Sequence, residues 1–231
     1  MLGHADEVMA VACHSDGKRV AAGGIEGKIL LSNLSGDEPP VVLAEGLEGP
    51  VIGLAWDAED KRLAFTCQST SQSIGLIDLA SKRILWRTKT SHRPGGISWS
   101  PDGSQLVVGL TGFLSAETGD PINDPSWHEH ASVVAWGRED PNSLIACNDY
   151  RLNRLSVFSP ARPDDGWLAL LIGDGAASFT PAGELIDASA EAKSQLRYHV
   201  ETDDGTVSLM SHEEFSSLCR KLGQVSKPDA P

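Results

Sequence analysis

Several stretches of the sequence carry side chains whose types and spacing could do chemistry. Trp127-His128-Glu129-His130 offers two imidazoles, the usual ligands of a zinc or related centre, but no third ligand stands nearby. It reads as a polar loop. Cys13-His14 pairs a thiol with an imidazole, a nucleophile and its base. Neighbours on a strand point to opposite faces, however, and Cys13 reads as a buried packing residue. Asp203-Asp204-Gly205 suggests a calcium loop. With Gly205 in sixth place, Val200 and Ser211 take the first and twelfth, where carboxylates or similar oxygen donors are needed, so the motif fails. Gly173-Asp174-Gly175 lacks the Lys-Ser/Thr and the helix of a phosphate loop. The acid pairs Asp164-Asp165, Asp203-Asp204 and Glu213-Glu214 read as a loop, a turn and a helix N-terminus rather than as catalytic carboxylates. No enzyme, metal or cofactor is expected from these residues.

The elements around these residues repeat. Five segments read as strand, polar turn, strand, beginning at Val8, Val51, Gly95, Ser132 and Gly175. Aligned on the large residue before the turn, they place Cys13, Trp56, Trp99, Trp136 and Phe179 in one column, at intervals of 43, 43, 37 and 43 residues. The turns are SDG, EDK, PDG, DPN and PAG, built from residues that accept positive φ or preset a turn. A third strand follows in most copies: KILLSNL, SIGLIDL, GFLSAETG and RLSVFSP. A unit of roughly 40 residues, all strand and turn, predicts a β-propeller blade, whose two faces are buried only against its neighbours. An evenly spaced β-sandwich is the alternative, but sandwiches seldom keep such a beat. The shared tryptophan column is read as blade core.

Composition narrows the function classes. The 231 residues are 40% hydrophobic, with Gly 23 and Pro 13, a balance that suits a turn-rich β protein. No apolar run is long enough to span a membrane, and MLGHADEVMA is not a secretion signal. Cys13, Cys67, Cys147 and Cys219 form no C-x-x-C pair, which points to reduced, mostly buried thiols and a cytoplasmic location. The net charge of −13 disfavours nucleic acid and anionic membrane surfaces as partners.

The pattern resembles the WD40 repeats of bacterial proteins. Gly3-His4 stands where that family places its Gly-His pair, and Ser100 to Gly103 is its SPDG-type turn. At the Trp-Asp site this chain has Ser32-Asn33 and then Ile77-Asp78, so only Asp78 keeps the signature. The family's buried network of Trp, Ser or Thr, His and Asp is not assembled in any copy; His4 lacks its tryptophan because Ser32 stands there. The resemblance covers about residues 1 to 190. It implies an all-β propeller of about five four-stranded blades, as a small ring or as the C-terminal portion of a larger propeller.

After Ala190 the beat stops. RYHVETDDGTVSLM reads as a hairpin, and SHEEFSSLCRKLG as a helix with Ser211 as N-cap and Glu214 completing a capping box. Phe215, Leu218, Cys219 and Leu222 fall on one face of it. The expected organisation is repeats over 1–190, hairpin and amphipathic helix over 191–223, and a loose tail over 224–231. The stretch from Tyr198 to Phe215 resembles a tail that closes some bacterial WD40-type proteins.

The function expected is a non-catalytic scaffold for protein–protein interaction, with a basic patch or segment as the charge-complementary target. The longest loops outside the repeat are 116–131 and 160–167, with Trp127 and Trp167 as candidate partner contacts. Self-association is expected if the ring is incomplete. The alternatives are a propeller segment with no independent activity and a propeller enzyme or sensor with an axial ligand.

Overall fold

The computed structural model describes residues 3–69, 71–90, 93–123, 131–137, 145–149, 154–159, 162–172, 175–179, 185–201, 207–214 and 216–217. They fall into two compact units, Met1–Gly166 and Trp167–Pro231.

The first unit contains three four-stranded antiparallel sheets. The first holds β1 (Val8–Cys13), β2 (Arg19–Gly24), β3 (Ile29–Asn33) and β4 (Val41–Ala44). The second holds β5 (Val51–Trp56), β6 (Arg62–Cys67), β7 (Ile74–Asp78) and β8 (Arg83–Thr88). The third holds β9 (Ile97–Trp99), β10 (Gln105–Val108), β11 (Gly112–Ser115) and β12 (Pro121–Asn123). In each sheet the strands lie side by side in chain order, the meander of a propeller blade. The fourth copy supplies β13 (Ala131–Trp136), β14 (Ile145–Asp149) and β15 (Arg154–Ser159), paired in the same order.

One turn is built three times, at the expected spacing. His14, Asp57 and Ser100 each donate their backbone N–H to the carbonyl five residues on, at 2.9–3.0 Å. The carbonyls of His14, Asp57 and Ser100 themselves accept from the N–H three residues on, at 3.0–3.1 Å. That third residue has positive φ in every copy: Gly17 at 64°, Asp60 at 53° and Gly103 at 70°. A side-chain oxygen fixes each turn. Asp16 Oδ1 accepts from Lys18 and Arg19, Asp57 Oδ1 from Lys61 and Arg62, and Asp102 Oδ1 from Ser104.

The core lies between sheets, as stacked blades require. Ile29, Leu43 and Leu47 from the first copy pack with Val51, Leu63, Phe65 and Cys67 from the second. Ala64, Ile74 and Leu76 pack with Ile97, Trp99, Leu106 and Leu114 of the third. Val107 and Phe113 pack with Ala131, Val134 and Trp136 of the fourth.

Cys13 corrects an expectation. It shares the tryptophan column, yet its thiol is exposed, along with Met9 and Val11 on the same side of β1. The column is buried only where an earlier blade covers it. Trp56 packs against the first blade, and β1 has no preceding blade among the described residues.

In the second unit, the C-terminal part of β16 (Arg162–Ile172) pairs through Leu168–Ile172 with β17 (Gly175–Phe179), which pairs with β18 (Leu185–Ala188). A short helix, α1 (Ala190–Gln195), follows, capped by the Ser189 side chain. The expected hairpin forms from β19 (Arg197–Glu201) and β20 (Val207–Ser211). The capping box is also present: Ser211 donates its N–H to Glu214 Oε2 at 2.8 Å, and Glu214 returns its N–H to Ser211 Oγ at 3.3 Å. The helix face of Phe215, Leu218, Cys219 and Leu222, and the tail 224–231, lie outside the described residues. Among those residues no helix is long and apolar enough to cross a membrane.

Candidate interaction surface between blades

The tryptophan column does more than fill space. Trp56 Nε1 donates to the Ala12 carbonyl at 3.1 Å, and Trp99 Nε1 donates to the Ala55 carbonyl at 2.9 Å. Each indole therefore reaches back to the carbonyl one residue before the same column in the preceding blade. Turn residues lie over these rings. The His14 ring meets Trp56 edge-on at 5.3 Å, and the Arg62 guanidinium stands 4.7 Å above Trp99. Arg62 also donates Nε to Asp57 Oδ2 at 2.8 Å and Nη2 to the Gly103 carbonyl at 3.2 Å. Both its charge and its planar face are thus engaged in joining the second and third blades.

A partial polar network stands at the start of the first blade, where none was expected. His4 Nδ1 lies 2.6 Å from Glu26 Oε1, and His4 Nε2 lies 3.1 Å from the Ala22 carbonyl. Glu26 thus supplies the carboxylate, and a backbone oxygen stands in for the missing side-chain partners. Burial acts against ionisation of Glu26. The hydrogen bonds from His4 and from its own backbone N–H, with nearby charge including Lys28, together outweigh it and leave the carboxyl below its usual range. This is structural rather than catalytic geometry, since the imidazole is nearly closed to solvent. Cys13 and His14 likewise form no nucleophile–base pair. The thiol is exposed, while the imidazole is buried against Trp56.

Beside the Arg62 clasp lies an open groove of about 430 Å³, lined by residues of the second and third blades. Leu76 and Ala116 are almost fully buried and form its apolar floor. Leu85 forms a wall and is 54% exposed. Ser104, Ser115 and Glu117 supply the polar rim. Trp86 Nε1 donates to the Ala116 carbonyl at 3.0 Å, which holds the two blades together at this point.

A bulge sets the position of Leu85. Leu76 pairs with Trp86 and Ile77 pairs with Ile84, so Leu85 is the extra residue on the outer strand. Bulges re-aim side chains and break up an edge strand. The third blade has the same register shift, with Ile122 as the extra residue, 40% exposed. No repeat spacing in the sequence signals this groove; it arises from strand register.

The strand topology, the blade-to-blade core and the repeated turn fit one fold. These are β-propeller blades. Residues 1–31 match the family model described as WD domain, G-beta repeat. A solved structure, the β-propeller domain of Cps50 (Swd1) from Myceliophteria thermophila, is similar with a TM-score of 0.58 and 12% identity. The match covers 77% of this chain and 66% of that one, so the chain spans just under two thirds of that domain's length.

The other residues singled out from the sequence have different outcomes. Trp127, His128, Glu129 and His130 lie outside the described residues, as do Asp203, Asp204 and Gly205. Trp167 falls within β16 by its backbone, and its side chain lies outside what is described. Among the described residues no group of three or more His, Cys, Asp or Glu side chains is placed to hold a metal.

Proposed function

We propose that this protein is a non-catalytic scaffold that binds a segment of a partner protein. One observation carries the reading. WD40 blades are locked to one another by the Trp56–Ala12 and Trp99–Ala55 hydrogen bonds, so loops and grooves are held on a rigid frame. Propellers host many unrelated functions, and what differs among them lies in those loops and grooves. The net charge of −13 favours a basic segment as the target and raises its association rate at low salt.

The contact aromatics proposed are Trp127 and Trp167; the backbone of Trp167 lies in β16, which replaces most of the loop expected over 160–167. The test is titration of the full chain with Lys/Arg-rich and with acidic peptides, followed by fluorescence anisotropy. Saturable, salt-sensitive binding of the basic set, weakened by Trp127→Ala together with Trp167→Ala at an unchanged melting temperature, supports the proposal. Equal binding of both sets, or none, sinks the assignment.

A further inference from the structure

Several polar groups of the first unit are satisfied internally. The indole nitrogens of Trp56, Trp86 and Trp99 have acceptors, and Arg62 and His14 are paired. The groove between the second and third blades is different. Its floor is apolar, its wall is a leucine left more than half exposed, and that leucine is extra to the strand pairing. A large apolar side chain exposed beside an apolar cleft is the arrangement of a pocket for an anchor residue.

The charges at the rim are asymmetric. Arg62 lines the groove, but its guanidinium is bound to Asp57 and stacked on Trp99. Glu117 also lines the groove, is exposed, and forms no ion pair among the described residues. Asp102, next to Gly103 in the lining, is held ionised by the hydroxyl of Ser100 and the N–H of Ser104. The uncompensated field at the mouth of the groove is therefore negative, as is the chain as a whole.

We propose that this groove docks an extended segment of a partner protein, with a leucine-like anchor against Leu76, Leu85 and Ala116 and a Lys or Arg beside it on Glu117. The proposal rests on the interaction reading above and gives it a place and a chemistry. The anchor would cover Leu85 and so remove its exposed apolar surface from water. The basic residue would add direction and specificity rather than most of the affinity, because Glu117 is exposed and screened by salt.

The experiment uses the full chain and three short fluorescein-labelled peptides: one with leucine next to lysine, one with leucine next to glutamate, and one with serine next to lysine. The leucine–lysine peptide is expected to bind saturably and about tenfold or more tighter than the serine–lysine peptide, the ratio expected for one buried anchor. On the protein, Leu85→Arg should weaken it by a similar factor. Glu117→Lys should reverse the preference between the lysine and glutamate peptides. Leu85 and Glu117 are both exposed, so melting temperatures close to wild type establish that the variants fold. If a variant melts early, Leu85→Ser is the milder substitute. Tight binding that ignores Leu85→Arg overturns the groove but leaves the interaction reading standing. A preference that Glu117→Lys does not move overturns the assigned charge contact. Absence of binding by any basic or apolar peptide overturns both readings.

Discussion

Trp99 donates its indole N–H to the Ala55 carbonyl at 2.9 Å, and Ala55 immediately precedes Trp56, the tryptophan of the same column one blade earlier. Trp56 repeats the relation with Ala12 at 3.1 Å. Trp136 does not. Its Nε1 is buried and finds no acceptor among the described residues, and in the preceding blade Ser98 instead uses its Oγ to accept from the Trp136 backbone N–H at 3.0 Å.

This difference predicts unequal costs for the same substitution. Trp99→Phe removes a hydrogen bond worth about 1 kcal/mol and leaves a buried carbonyl with less satisfaction. Trp136→Phe removes a donor that was already without a partner. Both lose similar packing, so Trp99→Phe should be the more destabilising by about 1 kcal/mol, read from urea unfolding midpoints. Equal losses would show that the indole bond does not fasten the blades.

Thiol accessibility gives a second prediction. Burial pushes the Cys67 thiol up to about 11, against a weaker opposing pull from Arg87. Cys13 is exposed on β1. A thiolate is the reactive form, so a buried, protonated thiol is inert. Iodoacetamide at neutral pH should modify Cys13 in the native protein and reach Cys67 only after unfolding, as followed by peptide mass mapping. Fast native labelling of Cys67 would mean that the core between the first two blades opens.

Much of this was legible in the sequence because the repeated turn is made of local hydrogen bonds. The SPDG segment at Ser100 forms the predicted hairpin, and the Asp in each turn does what turn chemistry requires. Cys13 was misplaced because its column is buried by the blade before it, and among the described residues none stands before β1. The His4–Glu26 contact spans 22 residues and depends on β2 register, which pattern alone does not set. The sequence pattern predicts no helix at α1. Its only signals, Ser189 as a cap and Glu191 in the first turn, support six residues. The groove was invisible because one bulge in β8 creates its wall.

Acid should weaken the fold in a defined window. Asp102 lies below its usual 3.8, through the Ser100 hydroxyl first and the Ser104 N–H next. Asp78 is lowered in the same way by the Ser81 hydroxyl and N–H. A carboxyl whose folded value lies below its unfolded value adds stability that is complete above the unfolded value. That stability is lost as pH falls through the folded one. The urea midpoint should therefore stay level from neutral pH to about 5 and decline below about 4. Asp102→Asn should lower the neutral plateau and flatten the decline. A decline starting near pH 6 would point to histidine instead.

Asp60 tests why a non-glycine residue holds a left-handed position. Its φ is 53°, where the equivalent residues are Gly17 and Gly103. That conformation costs about 1 kcal/mol for an L side chain, so Asp60→Gly relieves it. The same substitution removes the Oδ2 that accepts from the Ser15 N–H at 3.1 Å and lies 3.5 Å from His14 Nδ1. These contacts tie the turn of the second blade to that of the first. Losing an acceptor at a largely buried position costs about 1–3 kcal/mol, so Asp60→Gly should be net destabilising. Asp60→Asn keeps an acceptor and tolerates the left-handed region, and should fall between it and wild type. A thermal melt in which Asp60→Gly is the most stable of the three would show that the turn, and not the contact between blades, decides this residue.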